Sequence, residues 1–282
     1  MTAASEVAAA IANGLESSPD AQSRSEKGRD PNRKRHGARN QHKMKHFCKW
    51  LLDTFPDETS QCAAAAAAAA VNEIDDNNVD NDDDDDESNI RRNHILDVAG
   101  GKGELAARLC MCHGRRVCMV DPRQANIAHC FASAVLPKIP KKWQERLQAQ
   151  RAANPEFISD TVSKRFRQLV MPLDEYTLST CADLQQAVQQ AALLVGMHAD
   201  GATEAIVELA LQHGTPFVVV PCCVFPNLFH ERRVVTKQQG VSVPVRTHEQ
   251  FCEYLLQKHP GFQSEILPFD GRNIAIWWDG KS

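Results

Sequence analysis

The chain has 282 residues, of which 43% are hydrophobic, and a formal net charge of −4. It contains no apolar run close to the roughly 20 residues that a membrane-spanning helix needs, so we expect no membrane partner. The first residues carry acids such as Glu6 and Glu16 and lack a charged start followed by an apolar run, which argues against a secretory signal. Cysteines such as Cys118 and Cys252 fall in apolar patterns, where free thiols pack as small hydrophobic groups. We therefore expect an intracellular protein of a reducing compartment, cytoplasmic or nuclear.

Charge is distributed unevenly along the first part of the chain. Residues 21–50 hold 10 basic and 2 acidic residues. We predict that residues 1–38 form a disordered basic arm, because they show no sustained periodicity. Such an arm attracts nucleic acid through its charge, although a solvated tail has the same composition. Residues 39–56 differ, since Phe47, Trp50 and Leu51 share one helical face, and this predicts the first helix of the folded domain.

A low-complexity segment is predicted for residues 57–92. It contains eight consecutive alanines, Ala63–Ala70, and five consecutive aspartates, Asp82–Asp86. Neighbouring carboxylates repel one another and cannot pack, so we interpret this segment as an insertion. The folded domain continues over residues 93–282.

The next stretch is typical of a strand, a tight loop and a helix. Apolar residues lead to Asp97, a small-residue cluster follows, and a helical pattern begins at Glu104. A second strand ends in Asp121, 24 residues after Asp97, where an acid can reach a ribose. Glycines let the backbone turn and approach a ligand, and the helix start offers free N–H groups. The predicted cofactor-binding residues are Asp97, Ala99, Gly100, Gly101, Gly103 and Asp121.

Two nucleotide ligands compete for this loop. Gly101-Lys102-Gly103-Glu104-Leu105-Ala106 fits the Gly-x-Gly-x-x-Gly/Ala dinucleotide pattern, which would indicate an oxidoreductase. Asp97 favours the other reading, because a pyrophosphate needs no carboxylate before the glycines whereas a cationic amino acid end does. With Asp97, Gly101 and Gly103 at signature positions, the stretch resembles motif I of the class I S-adenosylmethionine-dependent methyltransferases. The resemblance implies S-adenosyl-L-methionine as the cofactor.

The remaining pattern alternates strands and helices. Strands are predicted at 166–171, 193–197 and 216–220, helices at 183–192, 202–213 and 247–258, and a closing hairpin at 262–268 and 273–278. This alternation indicates an α/β protein with a mostly parallel sheet and helices on both faces. With the resemblance, it implies a Rossmann-like class I methyltransferase fold with a seven-stranded sheet and a C-terminal antiparallel hairpin.

Polar residues follow the fourth predicted strand. His198 can take a proton near neutral pH, and Asp200 can orient it or act itself, so both are candidate catalytic residues. The alternatives are a histidine that satisfies backbone groups and an aspartate that caps the next helix. Like Asp97 and Asp121, they lie near the carboxyl ends of strands, where α/β sheets bind ligands.

The same region is similar to the domain shared by tRNA acceptor-stem 2′-O-methyltransferases and uncharacterised methyltransferase-like proteins. Those proteins carry His-x-Cys-Gly-x-x-Thr-Asp after strand four and Cys-Cys-His or Cys-Cys-Tyr after strand five. The chain matches at His198, Gly201, Thr203, Cys222 and Cys223. It departs at Asp200, Glu204 and Val224. The resemblance covers residues 94–282 and favours RNA as the partner.

Candidate substrate-binding residues lie after the fifth strand. Cys222 and Cys223 either line the methyl-transfer pocket or pack structurally. We expect no metal there, because adjacent strand residues point to opposite faces. Arg232 and Arg233 suit phosphate or carboxylate groups, or form a solvated loop pair.

The sequence thus predicts an S-adenosylmethionine-dependent methyltransferase with RNA as the favoured acceptor. Small-molecule or protein acceptors are the enzymatic alternatives. The departures from the family motif leave open a catalytically inactive module that binds cofactor or RNA.

Overall fold

The computed structural model describes residues 42–63, 92–236 and 240–281. The predicted basic arm at 1–38 lies outside the described residues, as does most of the predicted low-complexity segment. No helix among the described residues is long and apolar enough to cross a membrane.

Two helices precede the sheet among the described residues. Helix α1 spans Lys43–Thr54, and residues 56–63 form a second helix, α2. Pro56 ends the first helix and starts the second, because proline is tolerated in a helical first turn. Thr59 and Cys62 on α2 are buried, with exposed fractions of 1% and 0%. The first residues of the predicted insertion, 57–63, therefore belong to a helix that packs with the domain.

The domain is built on a seven-stranded sheet. Its strand order is β3-β2-β1-β4-β5-β9-β8, with β1 to β5 parallel and β9 antiparallel to β5. This confirms the predicted α/β fold with its C-terminal antiparallel hairpin. The strands are β1 His94–Val98, β2 Val117–Val120, β3 Phe166–Leu169, β4 Ala191–Met197, β5 Phe217–Val220, β8 Gln263–Ile266 and β9 Ile274–Trp278.

Helices cover both faces of this sheet. Successive residues of β1 enter opposite apolar clusters, Ile95 with α1 and Leu96 with the helices of the other face, as strand alternation requires. Burial on both faces explains why the inner strands β2, β4 and β5 are continuous apolar runs. The remaining helices are α3 Glu104–His113, α4 Ile127–Cys130, α5 Lys141–Ala153, α6 Phe157–Arg165, α7 Glu175–Thr180, α8 Ala182–Gln189, α9 Thr203–His213 and α10 His248–Leu256.

Helix α1 packs against the C-terminal hairpin. The Trp50 indole N–H donates a hydrogen bond of 2.8 Å to Glu265 Oε2 of β8. The rings of Trp50 and Phe55 lie edge-on to Trp277 of β9, with centroids 6.4 and 5.8 Å away. The two ends of the domain are thereby joined.

A small hairpin was not predicted. Strands β6 Arg233–Val235 and β7 Ser242–Pro244 form a separate two-stranded sheet within the segment expected to be a loop. Three-residue strands are too short to show alternation in the sequence.

Candidate active site

The loop after β1 is shaped by small residues. A Cβ on Gly100 would lie 2.5 Å from Met119 Sδ and 2.7 Å from Asp97 Oδ2. Gly103 has a φ of +77°, and a Cβ there would lie 2.2 Å from Ile127 Cδ1. Only glycine fits either position, so the backbone can lie close against the strand ends.

Asp97 is a buried carboxylate at the carboxyl end of β1. Its exposed fraction is 2%, and no described residue exchanges a hydrogen bond with Oδ2. Burial, with a further contribution from Asp121, raises the pKa of Asp97 to about 7. A buried polar group without a partner is unfavourable, so this oxygen is suited to a ligand that brings a donor or positive charge.

Asp121 directly follows β2, and its carboxylate, unlike that of Asp97, is well bonded. Gly101 N–H donates to Oδ2 at 2.8 Å, and Arg123 N–H donates to Oδ1 at 2.8 Å. The Arg123 guanidinium also donates from Nε to Oδ1 at 3.2 Å. Burial alone would raise the pKa of Asp121, but the hydrogen bonds from Arg123 and Gly101 outweigh it and hold that pKa below its usual range. Asp121 is therefore a stable anionic acceptor.

These two acids fit the predicted cofactor. Asp97 offers an oxygen without a described partner to a cationic amino group, and Asp121 is an ionised acceptor for ribose hydroxyls. The glycine loop joins them, because Gly101 is hydrogen-bonded to Asp121 while Gly100 lies against Asp97.

The loop after β4 is conformationally strained. His198 has a φ of +58° and Asp200 a φ of +48°, as Ala99 has +56° in the loop after β1. A left-handed conformation is unfavourable for non-glycine residues and clusters at functional sites. His198 Nδ1 is buried, and no described residue hydrogen-bonds to it. Burial lowers the pKa of His198, and the positive charge of Lys43 on α1 acts in the same direction.

The Asp200 side chain does not cap the next helix. Helix α9 begins at Thr203, and its N-cap residue, Ala202, provides no side-chain hydrogen bond. The Asp200 carboxylate instead accepts a hydrogen bond of 2.9 Å from Cys222 Sγ.

The tandem cysteines also depart from expectation. Strand β5 ends at Val220, so Cys222 and Cys223 lie beyond it and do not alternate between faces. One ligand atom from each cysteine and one from Asp200 all lie within 4.8 Å of one another. The strand alternation on which the expectation of no metal rested therefore does not apply to these two cysteines.

Arg232 does not project from a solvated loop. Its exposed fraction is 3%, and Nε donates at 2.6 Å to Glu204 Oε2 on α9. Its guanidinium lies 3.6 Å from the ring centroid of Phe229. The guanidinium also lies 4.7 Å from the ring centroid of Phe251 on α10, so Arg232 ties the loop after β5 to α9 and α10. Lys258, which follows α10, pairs with Glu204 as well, at 2.7 Å. The predicted substrate-binding role is corrected accordingly, because the guanidinium is enclosed.

Arg233, in contrast, is exposed. It donates to the side chain and backbone of Ser242 across the β6–β7 hairpin, at 3.0 and 2.8 Å. These contacts stabilise the hairpin.

Sequence reasoning missed two charged residues here. Arg123 holds the Asp121 carboxylate, and the Asp-Pro-Arg order could have indicated it, because the donor comes only two positions after the acceptor. Lys43 comes near His198 only through the packing of α1, for which the sequence gives no signal.

Comparison with known families decides the assignment. A protein-family profile described as "Methyltransferase domain" matches residues 61–225, more than half of the chain. The chain belongs to this methyltransferase domain family. The matched region of this methyltransferase domain contains Asp97, Asp121, His198 and both tandem cysteines, and it ends before Arg232. No curated protein matches the chain.

Solved structures similar to this methyltransferase domain are distant. The methyltransferase domain of a bacterial CtHen1 shares 10% identity over 78% of this chain and 99% of its own, with a TM-score of 0.34. The 1,6-didemethyltoxoflavin-N1-methyltransferase of Burkholderia thailandensis, solved with 1,6-didemethyltoxoflavin and S-adenosylhomocysteine, shares 13% over 93% and 95%, with a TM-score of 0.29. The methyltransferase CalO6 shares 14% over 80% and 68%, with a TM-score of 0.32. Scores this low transfer no substrate to this methyltransferase domain.

Proposed function

We propose that the chain is an S-adenosyl-L-methionine-dependent methyltransferase. The observation that carries the proposal is Asp97 Oδ2, a buried carboxylate oxygen without a described hydrogen-bond partner at the end of β1. Membership of the methyltransferase domain family supports the same cofactor.

In this proposal two acidic residues bind different parts of the cofactor. Asp97 holds the ammonium group of the methionine end, and the contact replaces the missing partner of its buried oxygen. Asp121, fixed by Gly101 and Arg123, accepts hydrogen bonds from the ribose hydroxyls. The bound cofactor supplies an electrophilic methyl group on a sulfonium ion. The protein's main task is then to align the acceptor and exclude water.

His198 is proposed as the group that takes the proton of an acceptor hydroxyl. It follows β4, the strand beside β1, and its Nδ1 has no described partner. Asp200, two residues later, stays a candidate positioning residue. The strained backbone of both residues supports a functional role for this loop.

We propose RNA as the acceptor class. The match of His198 and the tandem cysteines to the tRNA-methyltransferase motif supports it, as do the 10 basic residues within 21–50. Helix α5 adds an exposed basic and aromatic surface. Trp143 is 52% exposed, and the Arg146 guanidinium lies 5.9 Å from its ring centroid. Aromatic and arginine side chains together suit unpaired bases and phosphates.

Calorimetry with S-adenosylmethionine tests cofactor binding. Wild type should bind, and Asp97→Asn should lose about 10- to 100-fold in affinity, the value of a hydrogen bond to a charged group. Asp183→Asn is the matched control, because that acid is exposed and pairs with Arg167 at the surface. Folded wild-type protein without measurable binding, or equal affinity in Asp97→Asn, would sink the proposal.

Methyl transfer is tested with labelled cofactor and separated RNA, protein and small-molecule fractions. We expect label in RNA, and none with His198→Ala. Label in another fraction would replace RNA as the acceptor. Cofactor binding without labelling of any fraction would favour the inactive binding module, which the departures at Asp200 and Val224 motivated.

A further inference from the structure

Asp200, Cys222 and Cys223 form a compact cluster, here called the thiol–carboxylate cluster. Their ligand atoms lie within 4.8 Å of one another, and among the described residues no other group of histidine, cysteine and acidic side chains meets this condition. Asp200 follows β4 and the cysteines follow β5, so two neighbouring strands bring the three together. The proposed binding of S-adenosylmethionine involves none of these three side chains.

We propose that the thiol–carboxylate cluster binds a divalent d¹⁰ cation of the Zn²⁺ class. Thiolate sulfur and carboxylate oxygen are both zinc ligands, at about 2.3 Å and about 2.0–2.2 Å from the metal. Two sulfurs on a tetrahedral zinc ion lie about 3.8 Å apart, which the cluster reaches with little movement. Harder cations such as Mg²⁺ prefer all-oxygen sites, so the sulfurs select against them.

Three protein ligands leave one position of a tetrahedral ion open. Structural zinc sites are closed by four protein ligands, whereas three ligands with a bound water are typical of reactive sites. Cys223 and Asp200 are exposed, so a hydrated ion can enter from solvent. The fourth ligand of the proposed site is therefore water.

The charge around the cluster suits a bound cation. Two thiolates and one carboxylate carry three negative charges, and a divalent ion leaves a net charge of −1. Arg123 interacts electrostatically with Asp200, and Arg272 with Cys223. These guanidinium groups offset the remaining charge.

Metal binding at the cluster involves no change of oxidation state and needs no redox partner. Cys222 donates its thiol hydrogen to Asp200 in the metal-free protein. Metal binding breaks this hydrogen bond, releases the two thiol protons to solvent, and forms two metal–sulfur bonds and one metal–oxygen bond. The hydrated ion loses all of its waters except the one that stays as its fourth ligand.

Cobalt(II) titration of the full chain under a thiol-free reductant tests the proposal. We expect one equivalent of Co²⁺, near-ultraviolet thiolate-to-metal absorption, visible bands of tetrahedral cobalt, and their displacement by Zn²⁺. The double variant Cys222→Ser/Cys223→Ser should lose the absorption, and Asp200→Asn should weaken binding at least about tenfold. Cys112→Ser, at a partly buried cysteine elsewhere, is the control and should bind as wild type.

Two results would overturn the site. One is reduced, folded wild type without cobalt–thiolate absorption, and the other is undiminished absorption in the double variant. Circular dichroism verifies folding, and if the double variant unfolds, unchanged cobalt affinity in folded Asp200→Asn overturns the three-ligand site. A proteolytic peptide with Cys222 and Cys223 whose mass is lower by two hydrogens under the reductant assigns these two cysteines to a disulfide and has the same consequence. The readout is metal binding, so it succeeds or fails independently of S-adenosylmethionine binding.

Discussion

Compared with wild type, the cofactor-free Asp97→Asn protein should gain stability as the pH rises from acid to neutral and alkaline values. Burial holds the pKa of Asp97 at about 7 in the folded state, against its ordinary value of 3.8. Between these values the folded state keeps a proton that the unfolded state has released. Stability from this group is thus fully present below about pH 4 and is lost as pH rises toward 7. Asparagine has no such proton to lose.

The size of the effect follows from the shift. One pKa unit corresponds to about 1.4 kcal/mol, so wild type should lose about 3 kcal/mol relative to Asp97→Asn between pH 5 and pH 8. The difference between the two proteins isolates this contribution, because every other titrating group is common to both.

Urea denaturation of both proteins at pH 5, 6, 7 and 8 measures it. The gap in unfolding free energy should move steadily in favour of Asp97→Asn as pH rises. Asp183→Asn, at an exposed acid, should follow wild type at every pH. Parallel pH profiles for wild type and Asp97→Asn would refute the reasoning, because they would mean that the pKa of Asp97 is the same in the folded and unfolded states.

Three further predictions use the same site and its supports. In wild type, S-adenosylmethionine affinity should rise about tenfold per pH unit below pH 7 and stay flat in Asp97→Asn, as calorimetry at pH 5.5 and 6.5 would show. Gly100→Ala should destabilise the domain by about 1–3 kcal/mol, because its Cβ meets Met119 Sδ at 2.5 Å; an unchanged unfolding midpoint would contradict the described packing. Arg232→Met should cost about 1.5–3 kcal/mol in thermal or urea unfolding, because it removes hydrogen bonds to a partly buried carboxylate that keeps Lys258 as a partner, whereas the exposed Arg233→Met should stay within about 0.5 kcal/mol; equal effects would argue against the enclosed ion pair.

The sequence was most informative where structure is local. The change from strand to loop to helix around Asp97 and the strand-end position of Asp121 both follow from apolar patterning over a few residues. The alternation of strands and helices then predicted the parallel sheet, because parallel neighbours need crossover helices. The seven-stranded architecture is confirmed by the strand order.

Features that depend on distant packing were not predictable in the same way. The enclosure of Arg232 depends on Glu204, 28 positions earlier in the chain. The orientation of Cys222 and Cys223 depends on the path of the chain beyond β5. The strand ends at Val220, as predicted, so the strand alternation on which the expectation for the cysteines rested does not extend to them.

The contact between α1 and the C-terminal hairpin has a consequence for what counts as the minimal domain. The family profile spans residues 61–225, and both α1 and β9 lie outside it. Yet Phe47, Leu51 and Phe55 are almost fully buried, each worth about 1.5–3 kcal/mol, against a core that those matched residues share. The segment that the family profile matches is therefore smaller than the part of the chain that packs around this core. A chain trimmed to the matched residues would lose both flanks of one apolar layer, so activity studies belong on a chain that keeps both ends.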